Sequence, residues 1–199
     1  ICSGLVGSEM CIRDRAKTPS NMLPLGTKAP SFNLLDTKSD TYKTLDILKG
    51  SEGTLVAFIC NHCPFVIHIN DTLVTIANDY QARGINFIAI SSNDVENYPQ
   101  DSPDKMKLQA QNTGYPFPYL YDKTQETAKA YDAACTPDFY LFDRNLELIY
   151  RGQMDASRPG NGLDVNAADL KHAMDCLLTH TPNKIPQKPS IGCNIKWKT

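Results

Sequence analysis

"TLVAFICNHCPFV", residues 54 to 66, holds a strand, a tight cysteine pair and a helix start in thirteen positions. "TLVAFIC" is a short, continuous apolar run rich in β-formers, which suits a buried central strand. After it the period changes. Val66, Ile69, Leu73, Ile76, Ala77 and Tyr80 recur at three- and four-residue steps until Gly84, the pattern of an amphipathic helix. Cys60 therefore ends a strand and Cys63 opens a helix. Pro64 after it is ordinary helix-start chemistry, because the first-turn N–H it lacks has no partner there anyway.

That placement bears on reactivity. A thiolate at a helix N-terminus meets free backbone N–H groups and the positive end of the dipole, so its pKa falls. The expected roles are Cys60 as the attacking thiolate and Cys63 as the resolving one. Cys60 would form a mixed disulfide with a substrate disulfide, and Cys63 would displace the reduced product. His62 lies between them. A protonated imidazole there would stabilise the thiolate, and with it the dithiol form, making the disulfide a better oxidant. The plainer alternative is a histidine that faces solvent. A CxxC pair can also hold zinc, but structural zinc needs four ligands, and this chain has one such pair with its other cysteines and histidines scattered. No metal and no cofactor is expected.

The rest of the chain frames the pair. "FNLLD" supplies a short strand, "TYKTLDILKG" a strand and one helical turn, and "INFIAISS" a second buried strand. "NDVENYPQDSP" reads as a polar loop, "DKMKLQAQNTG" and "TQETAKAYDA" as helices, and "FPYLYD" as a strand lead-in. "DFYLFD" and "LELIYRG" form a hairpin candidate around Arg144-Asn145, and "NAADLKHAMDCLL" is a closing helix with Asn166 as its cap. Early alternation of strand and helix implies parallel pairing, and the late hairpin adds antiparallel strands at one edge. The expected fold is α/β, a mixed central β-sheet flanked by helices on both faces. Within "CTPDFYLFD", Thr136-Pro137 immediately precedes a strand, where an X–Pro bond is a candidate for the cis form.

Composition narrows the class. The 199 residues suit one ordinary domain, and 41% apolar with 21% charged residues is a soluble protein's balance. A net charge of -2 gives no sign of a nucleic-acid partner, and no apolar run is long enough for a membrane. The seven cysteines, Cys2, Cys11, Cys60, Cys63, Cys135, Cys176 and Cys193, are odd in number and irregular in spacing. That is a poor match to a secreted disulfide framework, so a reducing, cytoplasmic setting is expected. "ICSGLVGSEMCIRDR" resembles translated adapter read-through, and residues 1–15 are set aside as a non-native or disordered segment. Residues 16–185 are expected to form the domain and 186–199 a proline-broken tail.

The strand–CxxC–helix unit, the later Thr-Pro before a strand and the closing helix together resemble the thioredoxin superfamily. The resemblance implies a thioredoxin-like fold, with Cys60 and Cys63 as the redox pair. It also implies that Pro137 is the cis-proline, preceded by Thr136, of the loop that grips the partner's backbone. "GTKAPSFNLLD" and Cys63-Pro64 are similar to the opening strand and peroxidatic cysteine of peroxiredoxins, the alkyl hydroperoxide reductase and thiol-specific antioxidant group. The stretch from about Ala16 to Lys198 resembles a peroxiredoxin-like subgroup with a CxxC, a "CTPDF" loop and an "IGC.IKWK" tail. Two departures weigh against peroxide chemistry. Cys60 stands where a peroxiredoxin has Thr or Ser, and Arg151 is a catalytic arginine by position alone.

The expected activity is thiol–disulfide oxidoreduction, with a protein or small-molecule disulfide as substrate and a thiol donor as reductant. The alternatives are a thiol peroxidase, acting on a hydroperoxide through a sulfenic acid, and a non-catalytic redox sensor. Two further cysteines stay open. Cys135 could be a third redox thiol or a small buried residue. Cys193 could be a mobile resolving thiol or packing near Trp197.

Overall fold

The structure, a computed structural model, describes residues 17–198, so the expectation for residues 1–15 lies outside the described residues. In chain order it forms β1 (Lys17–Pro19), β2 (Asn33–Asp36), β3 (Thr41–Thr44), α1 (Leu45–Leu48), β4 (Gly53–Phe58), α2 (Pro64–Gln81) and β5 (Ile85–Ser91). Then come α3 (Pro103–Thr113), β6 (Tyr119–Tyr121), α4 (Glu126–Ala130), β7 (Cys135–Thr136), β8 (Asp138–Asp143), β9 (Leu148–Gly152), α5 (Ala168–Leu178) and β10 (Ile191–Asn194). A 3-10 turn, Pro99–Asp101, leads into α3.

Seven strands make the central sheet in the order β3-β2-β6-β5-β4-β8-β9. β4, β5 and β6 run parallel, joined by crossovers through α2 and α3, while β8 and β9 pair antiparallel at one edge. The expectation of antiparallel strands at one edge is half of what is found. β2 and β3 form a second antiparallel pair at the opposite edge. Their connection turns through Asp40 at φ 56, and Asp36 accepts the Lys38 N–H at 3.2 Å. Such local turn chemistry carries little hydrophobic signal.

β4 explains why the run of residues 55–59 is apolar throughout. Successive side chains point to opposite faces. Leu55, Ala57 and Ile59 enter the core that α2, α3 and α5 cover, and Val56 and Phe58 enter the one that α4, Tyr131 and Ile195 cover. Both faces of the sheet are thereby buried, as parallel strands require. The closing helix starts later than its expected cap. Ala167, at φ 53, precedes the first helical residue, while the Asn166 side chain still accepts the Ala168 N–H at 2.9 Å.

A second, three-stranded sheet in the order β1-β10-β7 lies against the first. The segment expected as a tail therefore contributes a strand, with Cys193 opposite both Lys17 and Thr136. This pairing depends on Gly192. A Cβ at that position would sit 1.9 Å from the Thr136 carbonyl oxygen, and backbone cannot swing aside as a side chain can. Gly192→Ala should therefore cost about 1–3 kcal/mol of stability, read as a lowered urea midpoint with an unchanged slope. An unchanged midpoint would mean that β10 docks less tightly than this.

Candidate active site

The site is built where β4 ends. The chain leaves the strand at Phe58 and turns through Asn61 and His62, and Cys63 becomes the N-cap of α2 in extended conformation. The turn is pinned from three sides. The Asn61 N–H donates to Asp101 Oδ1 at 2.8 Å, and the Asn61 side-chain amide donates to the Gln100 carbonyl at 2.8 Å. The Tyr119 hydroxyl donates to Asn61 Oδ1 at 3.1 Å.

Cys60 and Cys63 are both free thiols and both buried, at 2% and 0% exposure. The Thr136–Pro137 bond is cis, and its loop lies across the pair. Cys60 Sγ is 3.5 Å from Thr136 Oγ1, and Cys63 Sγ is 3.1 Å from the Thr136 carbonyl oxygen. The structure thus brings together Cys60, Cys63, Thr136 and Pro137, four residues singled out in the sequence.

The electrostatics separate the two sulfurs. Hydrogen bonds from the thiol of Cys193 and then from that of Cys60 hold Cys63 far below the ordinary thiol range; burial opposes them, and the Cys193 backbone N–H adds to them. Cys60 is pushed the other way by its bond to Cys63, by burial and by the Asp101 carboxylate. Ionisation is therefore easier at Cys63, whereas the sequence reading gave the attacking thiolate to Cys60. The Thr136 carbonyl qualifies this, since it can only accept, and so it favours a proton on Cys63. Cys63 is consequently placed to hold a proton or to release one.

His62 sits over this pair with its side chain 28% exposed. Its Nδ1 is 2.7 Å from Asp101 Oδ2, a close approach without the alignment of a full hydrogen bond, and an ion pair only when the ring is protonated. The ring stacks on Tyr98 at 5.9 Å between centroids and 6° between planes. Cys60, His62 and Asp101 bring one sulfur, one ring nitrogen and one carboxylate oxygen within 4.8 Å of one another, a set that could also offer three ligands to a metal ion. Asp101 is fully buried and further held by the Asn93 amide at 2.8 Å. It lies in the stretch read as a polar loop, so its role was not legible there. The only local hint was its place just before Pro103 and the helix.

The remaining expected residues fall at different distances. Arg151 is turned away from the pair: its Nε donates to the Leu23 carbonyl at 2.8 Å and its Nη1 to Gln187 at 2.7 Å. Arg158, which the sequence reading passed over, instead lines a cleft beside Pro137 with Phe65, Ile69, Phe139 and Met154. Cys135 points its thiol at the Pro137 carbonyl, 3.7 Å away. Cys176, given no role, is 3.5 Å from the His172 ring on α5.

Comparison with known proteins adds the following. The AhpC/TSA family matches residues 25–151. An uncharacterized conserved protein from Geobacillus kaustophilus is 55% identical, with 92% of this chain and 96% of its own covered, at a TM-score of 0.90. A hypothetical protein from Sinorhizobium meliloti 1021 is 48% identical over 92% of this chain and 100% of its own, at a TM-score of 0.89. The thioredoxin domain of a thiol-disulfide oxidoreductase from Bacteroides vulgatus superposes with a TM-score of 0.56 at 16% identity, covering 66% of this chain and 89% of that one. This last likeness is one of fold, and the fold is thioredoxin-like. No curated protein sequence matches the chain. Among the described residues no helix is long and apolar enough to cross a membrane.

Proposed function

This chain belongs to the AhpC/TSA family, and from that premise we propose that it is a thiol–disulfide oxidoreductase working through Cys60 and Cys63. One observation carries the reading: two hydrogen-bonded free thiols at the start of α2, with the Thr136–Pro137 loop against them. Cys60 attacks the substrate disulfide while its proton passes to Cys63. The mixed disulfide forms and one substrate thiolate leaves. Cys63, whose surroundings favour the thiolate, then loses that proton and displaces the second substrate thiol. The extended backbone of a protein substrate, or a small disulfide, lies along Thr136–Pro137. Its apolar part reaches the cleft of Phe65, Ile69 and Met154. A thiol donor in a reducing, cytoplasmic setting completes the cycle.

Cys63→Ser tests this reading, because it stops the reaction at the mixed disulfide. The variant should retain a covalently bound partner on non-reducing gels, released by dithiothreitol. Absence of any adduct, with the wild type active, would mean that Cys60 is not the point of attack.

His62 sets the potential in this scheme. When protonated it faces both the Asp101 carboxylate and the Cys60 sulfur, and so stabilises the reduced form. His62→Ala should make the pair more reducing by about 30 mV, a tenfold change in the equilibrium with glutathione. An unchanged or more oxidising potential would remove His62 from this role.

A second reading is favoured by the easy ionisation of Cys63 together with the following Pro64: a thiol peroxidase in which Cys63 attacks a hydroperoxide and Cys60 resolves the sulfenic acid. Rapid peroxide consumption lost in Cys63→Ser, with disulfide exchange intact, would select it.

A further inference from the structure

We propose that Cys193 on β10 is a third redox thiol of this site, exchanging with Cys63 so that the oxidised protein passes between a Cys60–Cys63 and a Cys63–Cys193 disulfide. The proposal rests on the reading of Cys60–Cys63 as the redox pair.

Strand register carries it. Cys193 is directly opposite Thr136 in the antiparallel pairing of β10 with β7. Opposed residues of neighbouring strands project to the same face. Thr136 faces the pair, 3.5 Å from the Cys60 sulfur. Cys193 therefore faces it too, and it is 3% exposed within the same apolar cluster as Cys60 and Cys63. Both its thiol and its backbone N–H hydrogen-bond to Cys63. The missing side chain of Gly192 is what lets the strand come this close. Cys135 is one residue along β7, opposite Asn194, and so belongs to the other face. There burial and the Asp138 carboxylate keep its thiol protonated. The geometry thus leaves Cys135 out of the exchange.

The step balances without an external reagent. In the Cys60–Cys63 disulfide form, the Cys193 thiol loses its proton and its sulfur attacks Cys63 Sγ. The Cys60–Cys63 bond breaks, the Cys63–Cys193 bond forms, and Cys60 leaves as a thiolate that takes up the proton. The number of disulfides is unchanged. The oxidising equivalents move inward, and Cys60 returns to the thiol form while the protein stays oxidised.

Diamide oxidation of the full chain, followed by acid quench, alkylation and mapping of non-reduced peptides, tests the exchange. A peptide linking Cys63 to Cys193 is expected in the wild type. In Cys60→Ser it should be the intramolecular link that forms, with the loss of two titratable thiols per chain. Cys193→Ala should lose that peptide and keep the Cys60–Cys63 disulfide, which guards against a folding defect in Cys60→Ser. If the wild type forms Cys60–Cys63 while Cys193 remains alkylatable in both the wild type and Cys60→Ser, the third-thiol proposal is overturned and the redox pair stands. If the wild type forms neither the Cys60–Cys63 nor the Cys63–Cys193 disulfide, both are overturned.

Discussion

Cys60→Ser should lower the rate of insulin reduction in the presence of dithiothreitol by about 10³-fold or more, because a hydroxyl cannot replace the thiolate in disulfide exchange. The size of the effect follows from the roles of the sulfurs. All three are buried, so exposure does not choose among them. In the proposed cycle Cys60 alone bonds to the substrate, even though Cys63 ionises more easily. The acid–base roles sharpen the prediction. Cys63 takes the proton from Cys60 in the first step, so Cys63→Ser should also slow attack, yet it should leave an adduct behind. Cys60→Ser should leave none. Insulin reduction within tenfold of the wild type in Cys60→Ser would move the attacking role to Cys63, and with it the balance toward peroxide chemistry.

The second large effect concerns Asp138, the residue after the cis-proline. Its carboxyl is fully buried, and burial pushes its pKa up to about 7, against the hydrogen bonds from Tyr140 and Ser190 that pull it down. The Tyr140 hydroxyl donates to Oδ2 at 2.9 Å, while Oδ1 has no partner. The sign follows from proton binding. Between the ordinary carboxylate pKa near 4 and the folded value near 7, the folded chain holds a proton that the unfolded chain releases. The contribution of Asp138 to stability is therefore greatest below about pH 4, falls as pH rises to about 7, and then levels, a change on the order of 4 kcal/mol. Asp138→Asn keeps an acceptor for Tyr140 and cannot ionise. The variant's stability relative to the wild type should rise by that amount between pH 4 and 7, measured by urea unfolding at each pH. Parallel curves would show that the carboxylate is better solvated than its burial implies.

How much of this was legible in the sequence depends on whether the signal was local. The change from the continuous run at 54–60 to the three-and-four spacing after Val66 is local, and it placed β4, Cys60, Cys63 and α2 together. Thr136-Pro137 before "DFYLFD" was legible for the same reason. Asp101 was not. Its place in the site comes from the Asn61 N–H and the His62 ring, which belong to a distant part of the chain, while Asn93, from the same loop, adds a local amide. Cys193 could be read as packing or as a thiol in play, because only the register of β10 against β7 says which way it points. Arg151 was a candidate by position, and the neighbours that hold it, Leu23 and Gln187, could not be read from its surroundings.

The small sheet has a consequence for the order of folding. β4, α2 and β5 are close in sequence, so the unit bearing Cys60 and Cys63 closes short loops. β10 must find both β1 and β7, and its loop-closure entropy is correspondingly larger. During refolding the pair should therefore exist for a time without its third neighbour. A refolding chain given an oxidant early should form Cys60–Cys63 first, and a bond to Cys193 only after the strand has docked. Quenching at successive times would read that order directly, and the moment Cys193 becomes protected from alkylation would mark the completion of the site.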